Sequence, residues 1–354
     1  MIESLFVYNS IILSPLLLCF FKNKKYRKII ILFISIVVSY VVFLASIRFN
    51  VGRDFTTYRY IYENINNQPE IEYGFTWLIH LLNYMELPPQ SLFITVSVII
   101  YSLILYGYKK HYSIIFLLTW MLLFFVPSLN QLRQYLAMTI LTISIFYLKD
   151  RRIIFLCLTI LAGSFHNSGY IGILFLLLPY IKVSRIFFIS LLCPLFVFIS
   201  LPELLLNLNI FSGTKYEIYL YQNNSLQALT ISALLKLSLP YFFIYKYREV
   251  NDDFFINLFK NAMLIYIALT FLSVNFYFLY RVNLIFMIFI PFIAMKLMQK
   301  DQISKLFVIL YIAFLIIFMQ KIILTYTIAP PHGDSIYPYQ TIFTDNPVQQ
   351  YLRK

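Results

Sequence analysis

Apolar residues run along this chain in blocks close to 20 long, broken by short clusters of lysine, arginine, asparagine and aspartate. A helix rises about 1.5 Å per residue, so a block of that size matches the roughly 30 Å hydrocarbon core of a bilayer. Twelve membrane-spanning helices are predicted, near residues 5–21, 29–47, 90–108, 113–129, 133–148, 153–165, 170–181, 186–206, 228–245, 258–274, 281–298 and 306–324. The sixth and seventh are too short to cross a full bilayer upright, so the turn between them is expected to dip inward. The architecture read from this pattern is an all-α polytopic membrane protein, a single integral membrane domain over residues 1–354.

Composition agrees with the pattern. The chain is 61% hydrophobic and only 12% charged, with 19% aromatic residues, which is outside the range of ordinary soluble domains. Glu3 precedes the first block and the basic run KNKKYRK (Lys22 to Lys28) follows it. A secretory signal carries its positive charge first, so a retained first helix with its N-terminus outside is expected.

That orientation puts 18 of the 28 basic residues, Lys24, Arg151 and Lys300 among them, in cytoplasmic loops, as the positive-inside rule favours. The C-terminus is then also outside. The formal charge of +13 therefore reports topology and gives no reason to expect a nucleic-acid partner. Cys19, Cys157 and Cys193 all lie in apolar blocks, with no CxxC or His/Cys cluster, so no metal site or disulfide is expected. There is no Gly-rich phosphate loop, Walker motif, HExxH or GxSxG. No cofactor is expected, and the energy for a reaction has to arrive in a substrate delivered by the membrane.

Two long segments fall outside: residues 48–89, with surface helices, and the tail 325–354. In the first, Tyr73, Trp77, His80 and Tyr84 recur at steps of four, three and four, one face of a helix lying at the membrane surface. Such a face is either an interfacial aromatic belt or a platform for stacking sugars. Arg59 and Glu63, four apart, read as a surface ion pair.

The candidate chemistry lies where spans meet this outer surface. Arg48 ends the second span, Arg133 begins the fifth in NQLRQYLA, and Arg281 begins the eleventh in YFLYRVN. Taken singly, each is accounted for by snorkelling to lipid phosphates or by pairing with a carboxylate such as Asp54. Taken as a set, they suit a pyrophosphate in the outer leaflet, because guanidinium binds phosphate bidentately and keeps its charge. His166, in SFHNSGY, could bind a phosphate, donate a proton or cap a helix. Lys236, inside a span, could snorkel, pair with Glu203 or touch substrate.

Four stretches together resemble the EpsG/Wzy-type family of bacterial polysaccharide polymerases: RFNVGRDFTTY with EYGFTWL after it, NQLRQYLAM, FHNSGYI, and YRVNLIF before IPF. Their order and alternation with spans extend over most of the chain, and YPYQTIF is similar to the family's Pro-Tyr tail. The resemblance implies a GT-C-like helical fold with an outward-facing cleft. It also implies an enzyme of the bacterial cytoplasmic membrane that joins repeat units carried on undecaprenyl pyrophosphate. A sugar hydroxyl of one lipid-linked unit attacks the anomeric carbon of the chain on another and expels lipid pyrophosphate.

On that reading Arg48, Arg53, Arg133 and Arg281 bind the pyrophosphate. Asp54 and Glu72 are the candidate bases, with His166 either a second base or a pyrophosphate ligand. Tyr58, Trp77, Gln134 and Asn167 are the expected substrate contacts. The implied partners are the lipid-linked oligosaccharide, membrane lipids and a chain-length regulator protein. Bland readings stand beside these: Asp54 as a partner of Arg48 or Arg53, and Glu72 as a helix cap. A lipid-linked oligosaccharide flippase would show two related halves and basic residues within its spans, and a glycan ligase would carry a large late loop.

Overall fold

The computed structural model describes residues 2–17, 27–68, 70–111, 113–181, 231–273, 277–328 and 339–343. Among them the protein is helical, with no strand and one isolated β-bridge between Arg48 and Thr341. The all-helical expectation therefore holds; the count of twelve spans is not reproduced. Among the described residues five helices are long and apolar enough to cross a membrane: Ile30–Ile47, Gln90–Lys110, Phe254–Leu272, Leu279–Met298 and Gln302–Ile323. Three further apolar helices, Ile114–Asn130, Arg152–Phe165 and Asn167–Tyr180, are shorter. The block at 186–206 lies outside the described residues, as does Glu203.

The chain divides into two compact units. The first comprises Met1–Ile145, Cys157–Gly169 and Ile312–Lys354; the second comprises Phe146–Leu156 and Tyr170–Tyr311.

In the first unit the helices are α1 (Ile2–Leu17), α2 (Arg27–Ile47), α3 (Phe55–Glu63), α4 (Tyr73–Tyr84), α5 (Gln90–His111), α6 (Ile114–Asn130) and α7 (Leu132–Ser144). The C-terminal part of α8 (Arg152–Phe165) joins them. α2 packs along α5, and α5 along α7. Ser113 caps α6 by accepting the Phe116 N–H at 3.2 Å, which satisfies a donor that a helix start otherwise leaves unpaired. Trp120 on α6 is buried, with its ring edge-on to Tyr101 at 6.1 Å. Leu32, Ile36 and Phe43 point outward from α2, as apolar residues do where the solvent is lipid.

The second unit holds α9 (Ile231–Lys246), α10 (Phe254–Leu272), α11 (Tyr277–Met287) and α12 (Ile290–Met298), with the start of α13 (Gln302–Ile328). The span expected at 281–298 is two helices meeting at Ile288 and Phe289. Asp253 caps α10 through the Ile256 N–H at 2.9 Å, and Asp301 caps α13 through the Ser304 N–H at 2.7 Å.

The block expected at 170–181 is wound as a 3-10 helix over Asn167–Leu176 and Leu178–Tyr180. A 3-10 helix rises about 2.0 Å per residue, so Asn167–Tyr180 extends about 28 Å where an α-helix would give about 21 Å. Tight winding recovers the length that the block lacked. Its end is satisfied within the unit: Asn261 Nδ2 on α10 donates to the carbonyls of Leu178 at 2.6 Å and Ile181 at 2.9 Å. Backbone acceptors away from water need such partners.

Candidate functional site

The segment after α2 is shaped by its own glycine. Gly52 has φ +102°, a left-handed conformation open to a residue without Cβ. A Cβ there would lie 2.5 Å from the Leu129 carbonyl oxygen, so the loop rests directly on the end of α6. Arg53 N–H donates to Asn130 Oδ1 at 2.9 Å, which pins the loop to the motif that follows. α6 contains Pro127 and ends at Asn130; Gln131 alone joins it to α7. That elbow puts Arg133 in the first turn of α7, where a helix N-terminus favours negative charge.

Glu72 is the N-cap residue of α4, yet its side chain makes no cap hydrogen bond. The carboxylate instead pairs with the Arg133 guanidinium through Oε2, and Oε1 accepts the Asn167 N–H at 3.3 Å. One carboxylate thus joins the start of α4, the start of α7 and the turn after α8. The helix-cap hydrogen bond that the sequence left open for Glu72 is not seen. The pair is largely enclosed, with side-chain exposures of 9% for Glu72 and 23% for Arg133. Arg133 Nε is buried with no partner among the described residues, and the guanidinium lies 5.8 Å over the Phe75 ring.

α4 reaches this point because Gly74 allows it. A Cβ on Gly74 would come within 2.9 Å of the Ser164 carbonyl oxygen, so α4 lies against the end of α8 just before His166. At His166, Nδ1 is 3.3 Å from the Ser168 N–H and 2.7 Å from the Ser168 hydroxyl. A backbone N–H only donates, so Nδ1 accepts, and in the neutral ring the proton sits on Nε2. Nδ1 of His166 is thus an acceptor engaged by Ser168.

Tyr58 on α3 is buried, with its ring 5.9 Å from that of Phe75. Burial raises its phenol above the usual value; the Arg133 charge pulls it down and Asp54 pushes it up. Both charged groups therefore bear on this hydroxyl. Asp54 is partly buried at the start of α3, without a side-chain cap bond. Arg53 is exposed, and among the described residues no carboxylate pairs with its guanidinium.

Arg48 is placed differently from the expectation of a pyrophosphate ligand. It is 1% exposed, and Nη1 donates to the carbonyls of Leu129 at 2.6 Å and Val51 at 3.3 Å. Its guanidinium lies 5.2 Å from the Phe93 ring centroid. Among the described residues no carboxylate is bonded to it, so the pairing of Asp54 with Arg48 is not seen. The C-terminal segment closes over its backbone: Phe49 N–H donates to Gln340 O, and Ile342 N–H to Ile47 O, both at 2.9 Å. Tyr339 adds a hydroxyl bond to the Leu44 carbonyl and accepts a place beside Ser4, whose Oγ takes its N–H at 2.9 Å.

Among the other expected residues, Gln134 is buried at 2% exposure and Asn167 is exposed, using its N–H on Glu72. Trp77 faces outward on α4. Arg281 belongs to the second unit and is exposed on α11. The expected Arg59–Glu63 pair is present at 3.0 Å on the surface of α3. Among the described residues no cluster of His, Cys, Asp or Glu could hold a metal ion. Sequence reading missed Asn130 as the anchor of Arg53, although it stands inside the NQLRQYLAM stretch, and Gly74 as the contact that seats α4.

No curated protein and no solved structure matches the chain. A match to the EpsG family runs over residues 31–341, from the second helix to the strap that closes on Arg48; the chain belongs to the EpsG family.

Proposed function

We propose that this protein polymerises oligosaccharide repeat units carried on a lipid pyrophosphate, undecaprenyl pyrophosphate, at the outer face of the bacterial cytoplasmic membrane. The EpsG family is associated with polysaccharide polymerisation. The observation that carries the reading is the Glu72 carboxylate held by Arg133 and the Asn167 N–H, because it gathers three separated motifs around charged groups suited to a diphosphate.

In the proposed reaction an acceptor sugar hydroxyl forms a bond to the anomeric carbon of the donor while the bond from that carbon to the pyrophosphate oxygen breaks. The hydroxyl proton passes to a carboxylate, and the electron pair leaves with the lipid pyrophosphate. Arg133, through its unpartnered Nε, and the exposed Arg53 stabilise the charge growing on the leaving oxygen; a preorganised donor of this kind contributes roughly 10² to 10³ in rate. His166 donates to the same diphosphate from Nε2, the role its tautomer favours over that of a base. Asp54 accepts the hydroxyl proton, a role worth about 10² to 10⁴. Arg48 acts as a positioning residue that holds Val51 and Leu129 beneath the loop. Arg281, in the second unit, is not used in this scheme.

Deleting the gene and resolving the surface glycan on a gel tests the reading. A polymerase mutant displays single repeat units. Loss of all surface glycan would point to a flippase, and accumulation of long unligated polymer to a ligase; either outcome overturns it.

A further inference from the structure

Helix α4 is apolar on two faces. Phe75, Leu78, Ile79 and Leu82 are buried against the protein. Opposite them Tyr73, Trp77 and Tyr84 are 92%, 64% and 87% exposed, and His80 is exposed on the same face. The helix, YGFTWLIHLLNY, contains no Asp, Glu, Lys or Arg. A helix whose outer face met water would carry charged residues there. Exposed apolar residues recur past the helix at Met85 and Leu87, on either side of the exposed Glu86.

The connection to α5 fixes the depth of this face. Met85 N–H returns to Leu81 O at 3.1 Å, Leu87 N–H to Leu82 O at 3.1 Å, and Tyr62 Oη to Leu87 O at 2.6 Å. The link is therefore folded tightly, and Pro88 accepts the Ser91 N–H at 2.8 Å as the span Gln90–Lys110 begins. α4 also packs on α5. A helix held against the entry of a membrane span lies at the level of the lipid headgroups.

We propose that the outer face of α4 beds in the headgroup layer of the bilayer, and that this interfacial anchor sets the height of the Glu72–Arg133 pair at its N-terminal end. Tyrosine and tryptophan favour this layer because each has an apolar body and a polar tip. Exposed Leu81, Met85 and Leu87 distinguish a lipid surface from a saccharide: a sugar stacks on ring faces and gains little from aliphatic side chains, whereas the acyl boundary accepts both. The functional consequence rests on the polymerase reading. A site held at headgroup height meets a lipid-borne diphosphate where that group already lies, so the substrate need not be drawn out of the membrane.

The two tryptophans of the chain allow a direct test, since Trp120 is buried at 1% exposure. Trp120→Phe makes Trp77 the sole tryptophan fluorophore of the full-length protein, and Trp77→Phe isolates Trp120 as a control. The protein is reconstituted in phosphatidylethanolamine and phosphatidylglycerol vesicles containing lipids brominated near the headgroup or near the chain end. Trp77 emission is expected to fall severalfold more with the shallow quencher than with the deep one, and to respond little to aqueous iodide. Should Trp120→Phe fail to fold, the difference between the wild-type and Trp77→Phe quenching curves reports Trp77 alone. Strong iodide quenching with no effect of either lipid overturns the proposal; so does protection of Trp77 from iodide by added oligosaccharide without lipid quenching, which would identify a glycan platform. The quenching reads the anchor whether or not the protein polymerises glycan, so a normal glycan in the deletion strain would refute the functional reading alone.

Discussion

Glu72 and Arg133 form an ion pair across 61 positions of sequence, and the second oxygen of the same carboxylate takes the Asn167 N–H at 3.3 Å. The pair holds an arginine in one orientation while leaving its Nε without a partner among the described residues. On the proposed reading, replacing Arg133 with alanine removes a diphosphate donor. The polymerisation rate with lipid-linked donor should fall by roughly 10² to 10³, measured in purified vesicles at matched protein level. Glu72→Gln keeps an acceptor for Asn167 and loses the charge; a smaller fall than for Arg133→Ala is expected. Wild-type rates in both variants would refute the site.

Arg48 predicts a defect of another kind. A buried charged donor to a carbonyl contributes about 1.5 to 3 kcal/mol per hydrogen bond, and Arg48 serves Leu129 and Val51 together. Arg48→Met should therefore lower the melting temperature of the detergent-purified protein, along with its activity. Unchanged thermal stability combined with lost activity would instead support a direct diphosphate contact.

Gly74 has no room for a methyl group against the Ser164 carbonyl. Gly74→Ala should force α4 away from α8, at a cost of about 1 to 3 kcal/mol typical of overpacking, and reduce polymer length on a glycan gel. Gly74→Ala with wild-type melting and polymer would show that the close approach is not needed.

The C-terminal strap can be weakened at one bond. Ile342→Pro removes the N–H donated to Ile47 O, since proline has none. A loss of about 0.5 to 1.5 kcal/mol is expected. It should appear as a lower melting temperature of the purified protein.

Asp301 carries a pH dependence. Its bonds from Ser304, above all the backbone N–H, together with Lys246 hold the carboxyl down at about 2. A depressed carboxyl contributes stability above its unfolded pKa, about 3.9, and that contribution is lost as pH falls toward 2. The melting-temperature gap between wild type and Asp301→Asn should be constant from pH 5 to 7 and close steadily below pH 4. A gap undiminished at pH 2.5 would refute the assignment.

Hydropathy made the helical membrane architecture legible, because the bilayer demands long apolar stretches whatever the packing. The same periodicity identified the outward stripe of Tyr73, Trp77, His80 and Tyr84, and the i, i+4 pair of Arg59 and Glu63, since both depend only on helix geometry. The sequence singled out Glu72 as a candidate base, Arg133 as a pyrophosphate ligand and Asn167 as a substrate contact, without pointing to their contact with one another.

Their mutual arrangement was decided by tertiary structure. Arg48 and Arg133 look alike in sequence, each at a helix end with an apolar block beside it, yet one is 1% exposed and closed over by backbone carbonyls and the C-terminal strap while the other keeps a 23% exposed side chain paired with Glu72. That difference depends on Gly52 resting on Leu129 and Gly74 on Ser164, contacts between segments far apart in the chain. The 3-10 winding after His166 likewise escaped the apolar pattern, because hydrophobicity counts residues and cannot register the rise of each one. Local chemistry sets which side chains can bind an anion; only the close approach of distant backbones selects which of them are left able to do so.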